Sequence, residues 1–461
     1  MINIGCSIVT PSKEVKAKDK KMTQFVRYIW AGSLGLTSVG IAMYFFNKWV
    51  VSLNDNNLKG RLFRAEFIVF IQGVLGCVSY FVWRNVANIF SIKKPSHRNP
   101  ESGCRFRSDT GARIWKLVIA AYFCLAHGCY LCNVFLVQTH PHMYSIVSYF
   151  MLGFHVQMAT GLVLVTILNF FIKLVSDQTL RHRAAVMMAV FYAVTISMYG
   201  FYNTRKLPTV NNVKIPVKDL PQNLEGLTIT HLSDIHLGPV NGRREMVQIV
   251  KMVNDIQSDV VVIVGDLIDG GLNELRKAAS PIKKIKSKYG TFFVTGNHEY
   301  YALEVDEWFS YLKSVGVTVL HNSNFHLPKN APSSQQICVV GTDDLEASRI
   351  HYKDHGFHLD KAMEGCREGQ PVLLLSHQPK AAQMAFTSEH RIDVVLSGHT
   401  HGGQMFPLVI GAYLANPYYV GLYPHGPNSH VYVSQGTNFW GIPMRTFTSR
   451  EIAVITLTKK V

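Results

Sequence analysis

The sequence predicts a multi-pass α-helical membrane domain followed by an α/β domain in which helices cover β-sheets. Five apolar stretches lie within residues 1–206, several of them near the roughly 20 residues that cross a bilayer core. Residues 207–461 instead alternate β-branched runs with amphipathic segments, a pattern typical of sheets flanked by helices. We therefore predict a basic tail over residues 1–27, a membrane domain over 28–206 and an α/β domain over 207–461.

The charge distribution separates the same two regions. Residues 1–206 contain 23 Lys and Arg against 7 Asp and Glu, whereas the remainder contains 23 of each kind. All of the net charge of +16 therefore lies in the first region. A nucleic-acid-binding domain would concentrate basic residues on its own surface, so no nucleic-acid partner is expected. The basic tail suits either a solvated, disordered arm or attraction to anionic lipid, and both interpretations place it in the cytosol.

Each apolar stretch is a candidate transmembrane helix. The stretches cover about 28–46, 67–83, 117–137, 143–172 and 184–202. The first lacks a clear cleavage site and is interpreted as a retained anchor. The second is the shortest, so its membrane crossing is the least secure. Within the third and fourth stretches, His127 and His155 are either hydrogen-bonded in the helix bundle, which we favour, or part of a functional site.

Basic residues in the loops predict the orientation. Loops on the side of the N-terminus contain 16 Lys and Arg, against 4 on the opposite side, which favours a cytosolic N-terminus. Five crossings then place the α/β domain in a lumen or outside the cell. If the second stretch lies on the membrane surface, four crossings return this domain to the cytosol.

Polar motifs follow the predicted strands of the α/β domain. Four of them stand at residues 233–236, 264–266, 296–299 and 398–401, and a fifth stands at 376–379. Each follows an apolar run that is typical of a buried strand. Ligands at successive strand ends can converge at one edge of a sheet, so a common site is expected there.

The residue types in these motifs are ligands for divalent metal ions. Imidazole suits Zn or Fe, carboxylate and carbonyl oxygen suit Mn or Mg, and the absence of thiolate from the motifs argues against a structural zinc cluster. The candidates are Asp234, His236, Asp266, Asn297, His377, His399 and His401. Seven ligands are too many for one ion and suit two. Two ions roughly 3.5–4 Å apart, bridged by a carboxylate, can clamp a phosphate and activate water.

In this order, the motifs resemble those of the calcineurin-like metallophosphoesterases. The sequence reads Asp-x-His, Gly-Asp, Gly-Asn-His-Glu, a lone His and then Gly-His-x-His, all between residues 207 and 461. The resemblance implies two mixed β-sheets packed face to face with helices outside, and metal-dependent hydrolysis of a phosphoester. It also assigns the ligands: Asp234, His236 and His401 for the first metal, Asn297, His377 and His399 for the second, and Asp266 as the bridge.

The same resemblance assigns two further roles. His298 is expected to protonate the leaving oxygen, and Asp269 to orient His298. Family members that act on phosphoserine and phosphothreonine usually have Arg directly after this Asp, but here the residue is Gly270. The missing guanidinium disfavours a protein phosphatase and favours a phosphodiester or a pyrophosphate as substrate. The neighbouring membrane domain makes a lipid-linked substrate a further expectation.

Several alternatives stay open at this level. The membrane domain could instead be a transporter or receptor that carries a regulatory or inactive phosphoesterase domain. Cys338 and Cys366 are the cysteines of the α/β domain, and they either remain buried thiols, which we favour, or pair in an oxidising compartment. His351, His355 and His358 recur at helical spacing, which indicates either a surface segment, the favoured interpretation, or a third metal site.

Overall fold

The computed structural model describes residues 40–50, 52–53, 56–87, 89, 107–135, 141–172, 178–302 and 304–460. The basic tail and most of the first apolar stretch lie outside these residues. Two compact units divide the chain after Glu66. A helix over residues 40–50 (α1) and the first part of α2 belong to the first unit, and everything from Phe67 onward belongs to the second.

Four described helices are long and apolar enough to cross a membrane. They are α2 (Asn56–Val86), α3 (Arg107–Phe135), α4 (Met143–Ile172) and α5 (Gln178–Arg205). Their apolar windows overlap the last four stretches predicted from the sequence. Within the second unit the helices share an apolar cluster that includes Val82, Ile119, Met158 and Ala189.

A hydrogen-bonded network connects the two histidines of these helices. The Ser79 hydroxyl lies 2.8 Å from Nε2 of His127 and 3.1 Å from Nε2 of His155. Gln72 and Tyr122 contact the other ring nitrogens, at 2.7 and 3.1 Å respectively. Hydrogen bonding within the bundle, the interpretation favoured from the sequence, therefore accounts for both rings.

Two six-stranded mixed sheets form the α/β part, which confirms the predicted fold class. The first has the order β1-β12-β2-β3-β4-β5 and the second the order β10-β11-β9-β8-β7-β6. The strands of the first sheet are β1 (Thr209–Val217), β2 (Thr228–Leu232), β3 (Val260–Val264), β4 (Thr291–Val294), β5 (Val317–Val319) and β12 (Glu451–Lys459). Those of the second are β6 (Ser323–Leu327), β7 (Ile337–Gly341), β8 (Val372–Leu375), β9 (Val394–Ser397), β10 (Gly421–His425) and β11 (Ser429–Val433). One buried cluster contains residues of both sheets, among them Val262 and Leu375.

Short helices connect the strands. They are α6 (Arg243–Ile256), α7 (Leu272–Ala279), α8 (Asn297–Ala302), α9 (Val305–Ser314), α10 (Leu345–Arg349), α11 (Leu359–Met363), α12 (Pro379–Phe386) and α13 (Leu408–Ala415). In α6, Met246, Ile249, Val250 and Val253 are buried, as their helical spacing predicts. In α13, by contrast, none of the residues is buried.

The α/β part packs directly on α4 and α5. Ile442 lies in an apolar cluster with Leu75 of α2 and Leu152 of α4. The backbone amide of Arg445 donates to the carbonyl of Gly200 in α5 at 3.0 Å. The side-chain amide of Asn203 donates to the carbonyl of Arg445 at 3.1 Å. The segment 436–450 is therefore held by the membrane helices, and the domain limit at residue 206 remains a sequence prediction.

Candidate metal centre and active site

The predicted site residues follow the carboxyl ends of β2, β3, β4, β8 and β9, and the structure brings them together. Asp234, His236, Asp266, His399 and His401 all adopt positive φ angles, between 49° and 70°. Left-handed backbone is unfavourable for residues other than glycine, and such strain clusters at functional sites. Each chain segment therefore turns sharply on leaving its strand, which aims the side chain at the common edge.

The first cluster consists of Asp234, His236 and His401. Nε2 of His401 lies 2.9 Å from Nε2 of His236 and 3.3 Å from Oδ1 of Asp234. Nδ1 of His236 lies 2.7 Å from Oδ1 of Asp269. When Nδ1 donates to this carboxylate, Nε2 carries a lone pair that faces the cluster. The three side chains thus present their ligand atoms to one point.

The second cluster consists of His377, His399 and Asn297. Nδ1 of His377 donates to the Val264 carbonyl at 2.8 Å, so Nε2 is the ring nitrogen that faces the site. Oδ1 of Asn297 lies 2.9 Å from Nδ1 of His399. Ring nitrogens of both clusters lie within 3.7 Å of one carboxylate oxygen of Asp266.

Asp266 is close to both clusters. Its Oδ2 lies 3.1 Å from Nε2 of His377 and 3.7 Å from Nε2 of His236. Its Oδ1 accepts a hydrogen bond from the backbone amide of His298 at 2.8 Å. Burial alone would raise the pKa of Asp266, but the neighbouring His377 and His298 outweigh burial and hold the pKa well below its usual range. The carboxylate is therefore ionised and available to both clusters.

A buried nitrogen shows that these donors suit metal ions. Nε2 of His377 is buried and makes no hydrogen bond to any residue that the structure describes, although it faces the Asp266 carboxylate. A metal ion that replaces the proton of this nitrogen would be shared between the nitrogen and the carboxylate oxygen. The described residues contain three overlapping groups at this edge that could each hold an ion.

His298 and Asp269 form a pair beside the clusters. Nδ1 of His298 lies 2.8 Å from Oδ1 of Asp269, the same oxygen that contacts His236. Burial would lower the pKa of His298, but the carboxylates of Asp266 and Asp269 outweigh this effect and raise the pKa to about 9. The His298 ring also lies edge-on to Trp440 and Tyr301, with centroids 5.3 and 5.2 Å away. These two aromatic rings flank His298.

Glu299 is a positioning residue to which the sequence analysis gave no role, although it ends the Gly-Asn-His-Glu motif. Its carboxylate accepts hydrogen bonds from the backbone amides of Gly296, Asp266 and Leu267 at 2.6, 3.0 and 2.8 Å. It therefore fastens the segment after β3 to the segment after β4. The only indication of this role in the sequence was the position of Glu299 at the end of the motif.

Arg445 is a second residue that the sequence analysis missed. It is fully buried and donates to the carbonyl of His401 at 3.0 Å and to that of Gln435 at 2.8 Å. Burial lowers its pKa to about 9. Arg445 belongs to an irregular segment without a motif, so no pattern could have singled it out.

The glycine of the Gly-His-x-His motif has a steric role. A Cβ atom at Gly398 would overlap the hydroxyl of Ser233 and crowd the carboxylate of Asp234. Asp234 in turn accepts the backbone amide of His399 at 3.1 Å. Only glycine lets the end of β9 approach the end of β2 so closely.

The fold and these clusters define a metallophosphoesterase domain. A family model described as calcineurin-like phosphoesterase matches residues 227–403, and the chain belongs to that family. Members of this family use a binuclear metal centre, for which the His and Asp clusters are suited. The family membership predicted from the motifs is thereby confirmed.

Two vertebrate relatives are similar over most of the chain, and both are called transmembrane protein with metallophosphoesterase domain. The protein of Danio rerio is 38% identical over 95% of this chain and 99% of its own length. The protein of Bos taurus is 38% identical over 86% of this chain and 90% of its own. An uncharacterized metallophosphoesterase of Helicobacter pylori is 35% identical over 59% of this chain and 70% of its own length.

Proposed function

We propose that the protein is a membrane-anchored hydrolase that uses two divalent metal ions to cleave a phosphodiester or a pyrophosphate. The observation that carries this proposal is the position of Asp266, whose Oδ2 lies within 3.7 Å of ring nitrogens from both clusters. A carboxylate shared between two ligand sets is the arrangement that a pair of metal ions requires.

The residues divide into two ligand sets around Asp266. Asp234, His236 and His401 would hold one ion, and Asn297, His377 and His399 the other. Two bound ions supply Lewis acidity to the phosphoryl group and lower the pKa of water. The identity of the metals, Mn, Zn, Fe or Mg, is not determined by oxygen and nitrogen donors alone.

His298 would donate a proton to the leaving group. Its Nδ1 faces Asp269, so Nε2 is the ring nitrogen free to face a substrate. The pKa of about 9 keeps the ring protonated at neutral pH, as a proton donor requires. Asp269 contacts both His298 and His236, so it would orient the donor and a metal ligand together.

An exposed apolar helix supports a lipid-linked substrate. The eight residues of α13 include no charged side chain, and Ile410 and Leu414 are 52% and 76% exposed. This helix begins two residues after Phe406, whose carbonyl accepts a hydrogen bond from Gln157 of α4 at 2.6 Å. It also follows the turn that carries His401. An apolar helix joined in this way to a candidate membrane span suits the bilayer interface.

Phe447 supports the same interpretation. Its side chain is 75% exposed, and its φ angle of 65° is unfavourable for a bulky residue. The flanking Thr446 and Thr448 both hydrogen-bond to the carbonyl of Gln404, which fixes the strained turn. An exposed aromatic ring held at an energetic cost next to the membrane helices suits contact with lipid.

The orientation remains part of the proposal: a cytosolic N-terminus, five crossings and an α/β domain in a lumen or outside the cell. Cys338 and Cys366 form a disulfide, with Cα atoms 5.8 Å apart. Disulfides persist in oxidising compartments and are rare in the cytosol. The pair therefore supports the placement that the loop charges favour.

The test is a direct comparison of substrates. The full chain, purified in detergent and loaded with Mn²⁺, is assayed with a phosphomonoester, a phosphodiester, a pyrophosphate and a phosphoserine peptide. We expect the phosphodiester or the pyrophosphate to be hydrolysed fastest. Preferential hydrolysis of the phosphoserine peptide would identify the protein as a protein phosphatase. If none of the four compounds is hydrolysed, the result favours an inactive regulatory domain.

A further inference from the structure

A third group of His and Asp side chains lies outside the candidate metal centre. His321 follows β5, Asp343 follows β7, and His355 belongs to the connection between α10 and α11. One nitrogen of each histidine and one oxygen of Asp343 lie within 4.8 Å of one another. Asp343 is fully buried and His355 is 6% exposed. Of the three histidines noted at helical spacing, His355 alone takes part, because the segment 350–358 is not helical.

Tight packing places these groups together. A Cβ atom at Gly341 would overlap the side chain of Leu320, so the glycine lets the end of β7 close on the end of β5. Asn322 then reinforces the contact. Its side-chain amide donates to Oδ2 of Asp343 at 3.1 Å, and its carbonyl oxygen accepts the Asp343 amide at 3.2 Å. The Asp343 carboxylate is thereby held in position beside His321.

Two buried atoms of this group lack a hydrogen bond to any described residue. Nδ1 of His321 is one of them, although it lies 2.7 Å from Oδ2 of Asp343. Oδ1 of Asp343 is the other. His377 and Asp266 show the same relation in the candidate metal centre, with a nitrogen that is close to a carboxylate but not hydrogen-bonded to it. A buried carboxylate oxygen without a hydrogen bond, such as Oδ1 of Asp343, is costly, and a cation shared with His321 removes that cost.

The orientation of His355 fits a metal ligand. Its Nδ1 lies 3.6 Å from Oδ2 of Asp343, whereas its Nε2 lies 3.5 Å from Oδ1 of Asp306 on the far side. A carboxylate behind a histidine orients the ring and increases its basicity toward a metal. The Tyr300 hydroxyl lies 3.1 Å from the same Nδ1. This hydrogen bond would be lost when the nitrogen binds the ion.

We propose that His321, Asp343 and His355 bind a third divalent metal ion, with zinc the best match. Two imidazoles and one carboxylate are a donor set that zinc prefers, and its tetrahedral shell places ligand atoms roughly 3.3 Å apart. The ion would fasten the segment that contains His355 to the ends of β5 and β7.

Metal stoichiometry tests the proposal. The tag-free full chain in detergent is stripped with a chelator, reloaded with zinc, desalted and measured by mass spectrometry. The His321→Ala and Asp343→Asn variants are expected to bind one zinc ion fewer than the unmodified chain. His351→Asn is the matched control, because His351 is exposed in the same segment and Asn tolerates its φ of 54°. This control is expected to bind as much zinc as the unmodified chain.

A second arm separates this site from the catalytic centre. The same measurement in an Asp266→Asn background compares that variant with Asp266→Asn combined with His321→Ala. A difference of one ion is again expected, whether or not the catalytic centre retains metal. Equal zinc content with and without His321, in folded protein judged by circular dichroism, overturns the proposal. If His321→Ala misfolds, His321→Asn takes its place, because its amide is a poor zinc ligand but keeps a polar side chain.

Discussion

At the scale of single residues, the two carboxylate oxygens of Asp266 make different contacts. Oδ1 accepts the backbone amide of His298, and Oδ2 faces the two histidine clusters. An amide at this position could keep the first contact with its oxygen but would lose the negative charge. The charge of the carboxylate is therefore the property to remove in a test of the shared-ligand role.

Asp266→Asn is expected to lower the metal content and to abolish most hydrolysis. Asn has the same size but lacks the charge that would hold two cations together. Metal analysis and turnover are measured on the same preparation. Near-normal turnover with two metal ions bound would end the assignment of Asp266 as the bridge.

His298→Ala is expected to leave the metal content unchanged and to reduce turnover by roughly 10²–10⁴-fold, the range for a lost general acid. The reduction should shrink for a nitrophenyl ester, because its leaving group needs no proton. Turnover of a nitrophenyl diester and an alkyl diester is compared in both proteins. An equal loss for both esters would contradict proton donation by His298.

The sequence predicted the candidate ligands because each follows a strand, and strand ends meet at one edge of a sheet. Arg445 was not predicted, because it does not follow a strand. It lies in an irregular segment, and its contact with His401 spans 44 residues of sequence. The interpretation of Cys338 and Cys366 as buried thiols was wrong, because composition carries no information about the distance between two residues.

At the scale of elements, apolar periodicity located most strands and helices correctly. Residue spacing alone does not decide between a helix and a loop. His351, His355 and His358 recur at helical spacing, yet His351 and Lys353 have positive φ angles that interrupt a helix. Apolar periodicity also gave no sign that α13 is an exposed helix, because an apolar run predicts burial without saying in which medium.

Replacing Ile410 and Leu414 of α13 by Gln is expected to slow hydrolysis of a phosphodiester lipid in vesicles. Hydrolysis of a soluble phosphodiester should stay unchanged, since neither side chain is a candidate ligand. Val247→Gln is the matched control, because Val247 is 42% exposed on α6. Equal effects on the two substrates, or none on either, would show that α13 does not contact the bilayer.

At the scale of the whole molecule, sidedness depends on the number of crossings. The last four apolar stretches correspond to described helices, and the first lies mostly outside the described residues. Loop charges and the disulfide both favour an α/β domain on the non-cytosolic side. Neither argument uses the other, so one experiment on sidedness tests both.

Protease added to intact cells or sealed, right-side-out vesicles is expected to digest residues 207–461 from the non-cytosolic face. Antibodies to the two ends of the chain follow the digestion. A cytosolic marker that survives shows that the membranes stayed sealed. If the α/β domain is instead protected and is digested only when protease reaches the cytosolic face, the model is contradicted. With a cytosolic N-terminus, that result would require an even number of crossings.

The segment around Arg445 has a consequence for biogenesis. Its backbone is bonded to Gly200 and Asn203 of α5, while its guanidinium supports the backbone of His401. One backbone edge of the candidate metal centre is thus supported by a candidate membrane helix. Folding of this edge and packing of α5 are therefore coupled, and a chain separated from its membrane helices would lack that support.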